Sequence, residues 1–217
     1  MMVMTVVAGC HSGADEGDFN STEKTLIEKA LEADGIEFPA GTMRVLTICD
    51  SADLAVLRAP SSDLSAQALL SEDYRRLCSL MVATVTHPFQ DGVGIAGPQV
   101  GLNRRVIAVQ RFDKEPVEVN GKSDYPFEVY PNIRIVWESD SLAYGSEGCL
   151  SVPDRRGDVL RSTEIVIEYA DIDALSSKIK RKCKVQASEL PTIRDTIRGF
   201  TAVIFQHECD HLAGIVI

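Results

Sequence analysis

The sequence lacks the features of three protein classes. None of its apolar runs approaches the ~20 residues that a membrane-spanning helix requires. Its 6 cysteines are scattered without a C-x-x-C pair, and a chain of 217 residues needs no disulfide framework. Its 22 Lys and Arg are outnumbered by 32 Asp and Glu, and this balance disfavours direct binding to nucleic acid. With 45% hydrophobic residues, the chain has the composition of an ordinary globular protein.

The first 21 residues predict a segment outside the folded domain, which we assign to residues 22–217. The first ten residues, MMVMTVVAGC, resemble the lipobox of bacterial lipoprotein signals, in which Cys10 would carry a lipid anchor to the envelope. The basic residue that normally precedes such a run is missing. Residues 11–21 are small, polar and acidic, as in a tether or a frayed terminus. A cleaved signal and a disordered tail are both open interpretations.

Hydrophobic periodicity predicts a mixture of helices and short strands. Helices are expected at residues 22–34 and 64–86, and from Pro191 or Thr192 to Leu212. Strands are expected at residues 43–48, 105–110, 133–137 and 164–169. Asn120-Gly121 predicts a hairpin turn, and the basic run at 178–184 predicts an exposed loop. Short strands followed by one central helix indicate an α+β fold.

The strongest functional signal is the pattern H-E-C-D-H at residues 207–211 in the last predicted helix. Because the two histidines are one helical turn apart, both imidazoles face the same side and can bind one metal ion. That side also carries the apolar residues Phe200, Val203 and Ile204, among which an unliganded histidine pair would be costly. Glu208 lies beside this face, where it can accept a proton from a metal-bound water.

A catalytic metal site of this kind needs a third protein ligand. Ile217 stands where the extended H-E-x-x-H-x-x-G-x-x-H pattern has its third histidine, so the ligand is expected upstream. Cys149 is the best candidate, because a thiolate is a soft partner for two imidazoles and its segment is bounded by glycine and proline. Cys209 is a poor candidate, because it points off the face that carries the histidines.

Three segments of the chain resemble the signature motifs of the peptide deformylase family. They are GVGIAGPQ at residues 92–99, EGCLSVP at 147–153 and QHECDHLAG at 206–214, in the order of the family. The resemblance covers about residues 43–217. It implies antiparallel β-sheets packed around a central metal-binding helix, and removal of the formyl group from N-formylmethionine at the start of newly made polypeptides. Gly97 departs from the alanine that is usual in the first motif.

The resemblance also implies residue roles in catalysis. Cys149, His207 and His211 would hold the metal, and Glu208 would act as base and then as acid on a metal-activated water. Negative charge on the formyl oxygen needs donors fixed in advance. By motif position, those donors are the side-chain amide of Gln99 and the backbone N–H of Leu150.

The substrate is expected to bind as an added strand. Gly92 and Gly94 let a peptide backbone approach, and the family binds its substrate between this segment and the strand that leads to Cys149. Methionine would enter an apolar pocket, and Arg156 would border the groove. The residues expected to contact substrate are Gly92, Val93, Gly94, Glu147, Gly148, Arg156, Phe200, Val203 and Ile204.

The metal, the compartment and two rival functions stay open at this level. A Cys-His-His ligand set accommodates Zn, Fe, Co or Ni, and the resemblance favours Fe(II) and a cytoplasmic location. One rival is a metallopeptidase of different specificity, which the lack of a downstream ligand opposes. The other is an envelope-anchored metal- or peptide-binding protein, which would need neither Glu208 nor Gln99.

Overall fold

A computed structural model of the chain describes residues 17–32, 41–119, 122–179 and 189–217. The helices are α1 (Ser21–Glu32), α2 (Ser51–Leu57), α3 (Ala66–Leu69), α4 (Glu72–Val85), α5 (Ile172–Ile179) and α6 (Gly199–Leu212), with a 3₁₀ turn at Gly97–Val100. The strands are β1 (Gly94–Ala96), β2 (Val106–Gln110), β3 (Val117–Val119), β4 (Lys122–Asp124), β5 (Phe127–Pro131), β6 (Arg134–Glu138), β7 (Leu142–Cys149), β8 (Val152–Ser162), β9 (Glu164–Ala170) and β10 (Thr192–Arg198). None of the helices in these ranges is long and apolar enough to cross a membrane.

Helix α6 is the centre of the fold. The described strands pair antiparallel in the orders β1-β2-β5, β10-β9-β6, β3-β4 and β7-β8. Phe205 and Leu212 of α6 belong to one buried cluster with Ile107 of the first sheet and Ile165 and Ile197 of the second. The predicted α+β class, with antiparallel sheets around a central helix, is confirmed.

A second buried cluster joins the N-terminal helices to the first sheet. Ile27 of α1 and Leu77 and Met81 of α4 are fully buried in it, together with Ile95 of β1 and Val106 of β2. The side chains of α1 therefore contribute to the same core that supports β1. The predicted helix at 22–34 is confirmed as α1 within the residues that the structure describes.

The predicted helix at residues 64–86 is wrong as a single element. The structure has α3 and α4 there, separated at Leu70 and Ser71. Ser71 is extended, and its side chain accepts a hydrogen bond from the N–H of Tyr74, which starts a new helix. Helix α2 was not predicted, although Asp50 gives a capping signal: its side chain accepts from the N–H groups of Ala52 and Asp53.

The predicted start of the last helix at Pro191 or Thr192 is also wrong. Residues 192–198 form β10, which pairs with β9 along its whole length, and α6 begins only at Gly199. The segment TIRDTIR carries β-branched residues that favour a strand, and Ile197 is fully buried opposite Ile165. Gly199 has a φ of 61°, a left-handed conformation that glycine adopts readily at this change of direction.

Residues 43–47 belong to no strand or helix and Ile48 lies in a turn, so the strand predicted at 43–48 is wrong. The N–H of Leu46 donates to the carbonyl of Gln99 at 2.7 Å, and the N–H of Ile48 donates to the carbonyl of Ser151 at 2.9 Å. Because each bond goes to a different part of the chain, no regular ladder forms. The segment instead ties the 3₁₀ turn to the turn between β7 and β8.

Three sequence predictions fall wholly or partly outside the described residues. They concern Cys10 with most of the N-terminal tail, the Asn120-Gly121 turn, and the basic run beyond Ile179. The strands on either side of the turn do pair, with Glu118 opposite Ser123, as a hairpin requires.

We expect Glu23→Ala to lower the free energy of unfolding by about 3 kcal/mol, because it leaves the buried guanidinium of Arg104 without its carboxylate. Arg104 Nε and Nη2 donate to Glu23 at 2.7 and 2.9 Å, and the two side chains are 7% and 11% exposed. Urea unfolding followed by circular dichroism measures the change. Glu28→Ala, an exposed position of the same helix, should change stability by less than ~0.5 kcal/mol. Equal effects of the two variants would contradict the expected role of the ion pair.

Candidate active site

Helix α6 places His207 and His211 on its buried side. His207 is 7% exposed and His211 is fully buried. Their ring centroids are 4.9 Å apart with nearly perpendicular planes. The one-turn spacing therefore brings both imidazoles to one point.

Cys149 completes a group of three ligand atoms. It is the last residue of β7, and its Sγ lies 3.3 Å from His211 Nε2. The sulfur and one ring nitrogen of each histidine all lie within 4.8 Å of one another. One thiolate and two imidazoles suit a divalent transition metal, so the donor set fits the predicted ion.

The Nδ1 atom of each histidine forms a hydrogen bond with another part of the protein. His207 Nδ1 is 2.8 Å from Glu147 Oε2, and His211 Nδ1 is 3.0 Å from the carbonyl oxygen of Ile215. Each acceptor fixes the proton on Nδ1 and leaves Nε2 as the ligand atom. Burial and the neighbouring charge of His207 lower the pKa of His211 to about 3. Burial alone would lower the pKa of His207 as well, but its hydrogen bonds to Cys149 and Glu147 raise that pKa to about 10, so binding of a metal ion must release the proton of His207.

Glu147 was predicted as a substrate contact, but its carboxylate is bound on the protein side. Arg161 Nε and Nη2 donate to its two oxygens at 2.8 and 2.9 Å, and Arg161 Nη1 donates to Asp210 at 2.7 Å. Burial alone would raise the pKa of Glu147, but the hydrogen bonds from Arg161 and His207 lower it to about 2. The carboxylate is therefore ionised and orients His207.

We expect Glu147→Gln to weaken metal binding by about 10- to 100-fold, since a neutral amide orients the ligand imidazole less firmly. Titration of the metal-free protein with Co(II) measures the dissociation constant. Glu138→Gln, an exposed position on β6, is the control and should leave the constant unchanged. An unchanged constant in Glu147→Gln would contradict the orienting role.

Glu208 presents a buried carboxylate to the same cavity. Its side chain is 4% exposed, and Oε2 has no hydrogen-bond partner among the described residues. Burial raises its pKa to about 7. Its other oxygen lies against β1, because a Cβ built on Gly94 would be 2.5 Å from Glu208 Oε1. The carboxylate thus has room only because residue 94 is a glycine.

We expect Gly94→Ala to lower kcat by at least about 10-fold, because the added methyl group displaces the Glu208 carboxylate and a shift of ~1 Å is costly in a catalytic group. The same methyl would lie 2.8 Å from Ile204 Cγ2. Steady-state kinetics and metal analysis measure the effect, and metal content should stay at one ion per chain. Gly157→Ala is the matched control, because a Cβ there meets only Ile217 Cγ2, at an ordinary contact distance of 3.8 Å, and Gly157 is not among the residues that line the cavity. An equal or larger loss in Gly157→Ala than in Gly94→Ala would contradict the steric explanation.

Gln99 is held with its amide nitrogen towards Cys149. The side chain is 1% exposed, and Oε1 accepts a hydrogen bond from the N–H of Ala96 at 2.8 Å. Nε2 lies 3.3 Å from Ser151 Oγ and 3.8 Å from Cys149 Sγ. The 3₁₀ turn that carries Gln99 also leaves little room for a side chain at position 97, since a Cβ there would be 2.6 Å from the carbonyl oxygen of Arg104.

Cys149, His207, Glu208 and Gln99 all line one cavity of about 870 Å³. Most of the predicted site residues line it, namely Gly92, Val93, Gly94, Gln99, Glu147, Gly148, Cys149, Leu150, Arg156, Phe200, Val203, Ile204, His207 and Glu208. His211 lies behind this wall, fully buried. Tyr144 and Arg155 also line the cavity and were not predicted.

The rim residues differ in how firmly they are held. Arg156 Nη2 donates to the carbonyl of Ser146 at 2.8 Å, and its guanidinium lies over Gly148. Phe200 is 59% exposed, with its ring 5.4 Å from that of Phe112. The sequence analysis missed Arg161 and Asp210, because nothing in their local sequence indicates an ion pair between them.

Comparison with known proteins decides the family. The polypeptide deformylase family matches residues 44–217. The chain belongs to this family. It is 32% identical to a peptide deformylase of Leptospira biflexa over 161 residues, 74% of this chain and 79% of the relative. It is 34% identical to peptide deformylase 2 of Gloeobacter violaceus, again over 74% of this chain and 71% of the relative.

Solved deformylase structures share the fold. The Met-Ala-Ser-bound class I type b peptide deformylase from Acinetobacter baumannii superposes with a TM-score of 0.62 and 30% identity, covering 81% of this chain and 95% of that one. The Thermotoga maritima enzyme has a TM-score of 0.61 at 23% identity and shows the fold alone.

Membership settles the activity of the chain. It is a metal-dependent hydrolase that removes the formyl group from N-terminal formylmethionine peptides and acts with one catalytic metal ion. The predicted family and deformylase function are confirmed. Formylated nascent peptides are the substrates of the deformylase family.

Proposed function

We propose that the cavity between β1, β7 and α6 is the site of deformylation and that the residues around it hold the metal, bind the peptide and transfer the proton. The observation that carries this proposal is the Cys149, His207 and His211 group beside the unpartnered, buried carboxylate of Glu208. Metal-assisted hydrolysis requires ligands for the ion and a proton acceptor close to them, and this cavity has both.

Cys149, His207 and His211 would hold the ion, which when bound supplies a Lewis acid and lowers the pKa of water at the site towards neutrality. Glu208 accepts the proton of the attacking water as its oxygen adds to the formyl carbon. The same carboxyl group then gives this proton to the leaving amine, so that formate and a free methionyl amine are the products.

Gln99 Nε2 and the backbone N–H of Leu150 donate to the formyl oxygen as negative charge builds on it. The orientation of the Gln99 amide supports this role. Its oxygen accepts a hydrogen bond from the N–H of Ala96, and its nitrogen faces Cys149. Donors fixed before the reaction stabilise the charge without reorganisation.

The peptide lies as an added strand between β1 and β7. Gly92, Gly94 and Gly148 line the groove for its backbone, and Val93, Val203 and Ile204 with Phe200 line the space for the methionine side chain. Arg156, held by Ser146, borders the outer part of the groove. Glu147 acts indirectly, through His207.

The finer assignments follow the family. We propose Fe(II) as the native ion, with Zn, Ni or Co accepted by the same ligands. Residues 22–217 act as one domain, supported by the packing of α1 in the core beneath β1. The site of action is the cytoplasm, and recovery of the chain from a membrane fraction with Cys10 acylated would favour the envelope instead.

Formate release from formyl-Met-Ala-Ser tests the proposed site, with acetyl-Met-Ala-Ser as the matched control. The anaerobically iron-loaded protein should release formate from the first peptide, release no acetate from the second, and leave internal bonds intact. Cleavage of internal bonds without formate would overturn the assignment.

A further inference from the structure

Ser151 lies inside the site without a part in the proposed reaction. It sits in the turn between β7 and β8, two residues after Cys149, and is fully buried. Its Oγ is 3.3 Å from Gln99 Nε2. A buried hydroxyl that contacts a catalytic amide can control the direction in which that amide donates.

The contacts of Gln99 show how its side-chain amide is oriented. The bond from the N–H of Ala96 to Oε1 fixes which end of the amide is nitrogen. The NH₂ group has two hydrogens, and Nε2 donates to Ser151 Oγ at 3.3 Å and to Cys149 Sγ at 3.8 Å. The contact with sulfur is the longer and weaker of the two, so that its hydrogen can turn to an acceptor in the cavity, which Gln99 lines.

The backbone around this pair is held independently of the Ser151 side chain. Leu46 and Ile48 donate their N–H groups to the carbonyls of Gln99 and Ser151. The two residues therefore stay adjacent when the hydroxyl is removed, and only the side-chain bond is lost.

We propose that Ser151 is a positioning residue for Gln99. By accepting one N–H of the amide, its hydroxyl limits the amide to a long, 3.8 Å contact with the Cys149 sulfur and leaves the second N–H able to turn to the formyl oxygen. The inference rests on the proposed role of Gln99 as a donor to that oxygen.

A double-mutant cycle with Gln99→Ala and Ser151→Ala tests the coupling. We expect Ser151→Ala to lower kcat about 10-fold with KM within twofold, since one such donor is worth about 100- to 1,000-fold in total. In the Gln99→Ala background, Ser151→Ala should cause no further loss. Ser61→Ala is the matched control, because Ser61 Oγ is buried without a hydrogen-bond partner in the described part of the chain.

A second readout is independent of activity. In the cobalt(II)-loaded protein, Ser151→Ala should shift the sulfur-to-cobalt charge-transfer band to higher energy, because an amide released from Ser151 can move closer to Cys149 Sγ and donate to it more strongly. The shift should be absent from the double variant. Ser151→Thr and Ser151→Val add side chains of nearly equal size, but only threonine keeps the hydroxyl. We therefore expect a higher kcat for Ser151→Thr than for Ser151→Val.

Three outcomes would overturn the inference. They are an unchanged kcat in Ser151→Ala, a loss that persists in full without Gln99, and a charge-transfer band that does not move. A Gln99→Ala variant with normal kcat would instead overturn the proposed role of Gln99, and the two failures are therefore distinguishable.

Discussion

Replacing Glu208 by glutamine is expected to lower kcat for formate release by about 1,000-fold while one metal ion stays bound. Glutamine keeps the size of the side chain and its fit against Gly94, but it cannot accept a proton. Glu147, the carboxylate that contacts the ligand histidine His207, is engaged by Arg161 and His207 and cannot replace it. The expected loss is therefore purely chemical.

Single-turnover formate release and metal analysis of the same sample measure this effect. Glu168→Gln, on the distant strand β9, is the control and should keep kcat within twofold. Metal content equal to that of the unaltered protein separates lost proton transfer from lost metal. A fall in kcat of less than tenfold with the metal bound would contradict the assignment of Glu208 as the proton acceptor.

Replacing Cys149 by alanine is expected to weaken metal binding by at least ~100-fold, and activity should be lost with the ion. Loss of a partner that merely orients a ligand histidine already costs about 10- to 100-fold, and Cys149 is itself a ligand in the proposed site. Its sulfur is one of only three donors in the group, so its loss leaves two imidazoles from one helix.

Equilibrium dialysis against Zn(II) or Co(II) measures the affinity of the Cys149→Ala variant. Cys209→Ala is the matched control within the same motif, because Cys209 packs against the apolar cluster beneath α6 and offers no donor to the group. It should bind one ion with unchanged affinity. Stoichiometric, tight binding by Cys149→Ala would contradict the proposed ligand set.

The prediction of secondary structure failed where tertiary contacts override local pattern. The segment 192–198 continues an apolar period that also suits a helix, and only the neighbouring strand β9, distant along the chain, makes it a strand. Residues 43–48 look like a strand, but their hydrogen bonds go to two separate turns. Such partners cannot be read from a local window of residues.

The sequence indicated which side chains would form the proposed site, but not which residues support them. His207, His211 and Glu208 lie within five residues whose helical spacing alone brings the imidazoles together. Cys149 followed from the shortage of ligands downstream and from the motif around it. Arg161 and Asp210 gave no signal, because a partly buried ion pair between a hairpin and a helix depends on how those elements pack.

By itself, the sequence determined the family and the antiparallel α+β class, through three motifs in the order of the family. It also indicated Cys149, His207 and His211 as the proposed ligands and Glu208 as the proposed proton acceptor, from residue type within those motifs. Tertiary structure alone decided how these groups are held. It turned the Glu147 carboxylate to His207 and placed Ser151 beside Gln99, 52 positions apart in the chain. It also required glycine at position 94, since only the approach of β1 to α6 makes a methyl group collide with Glu208.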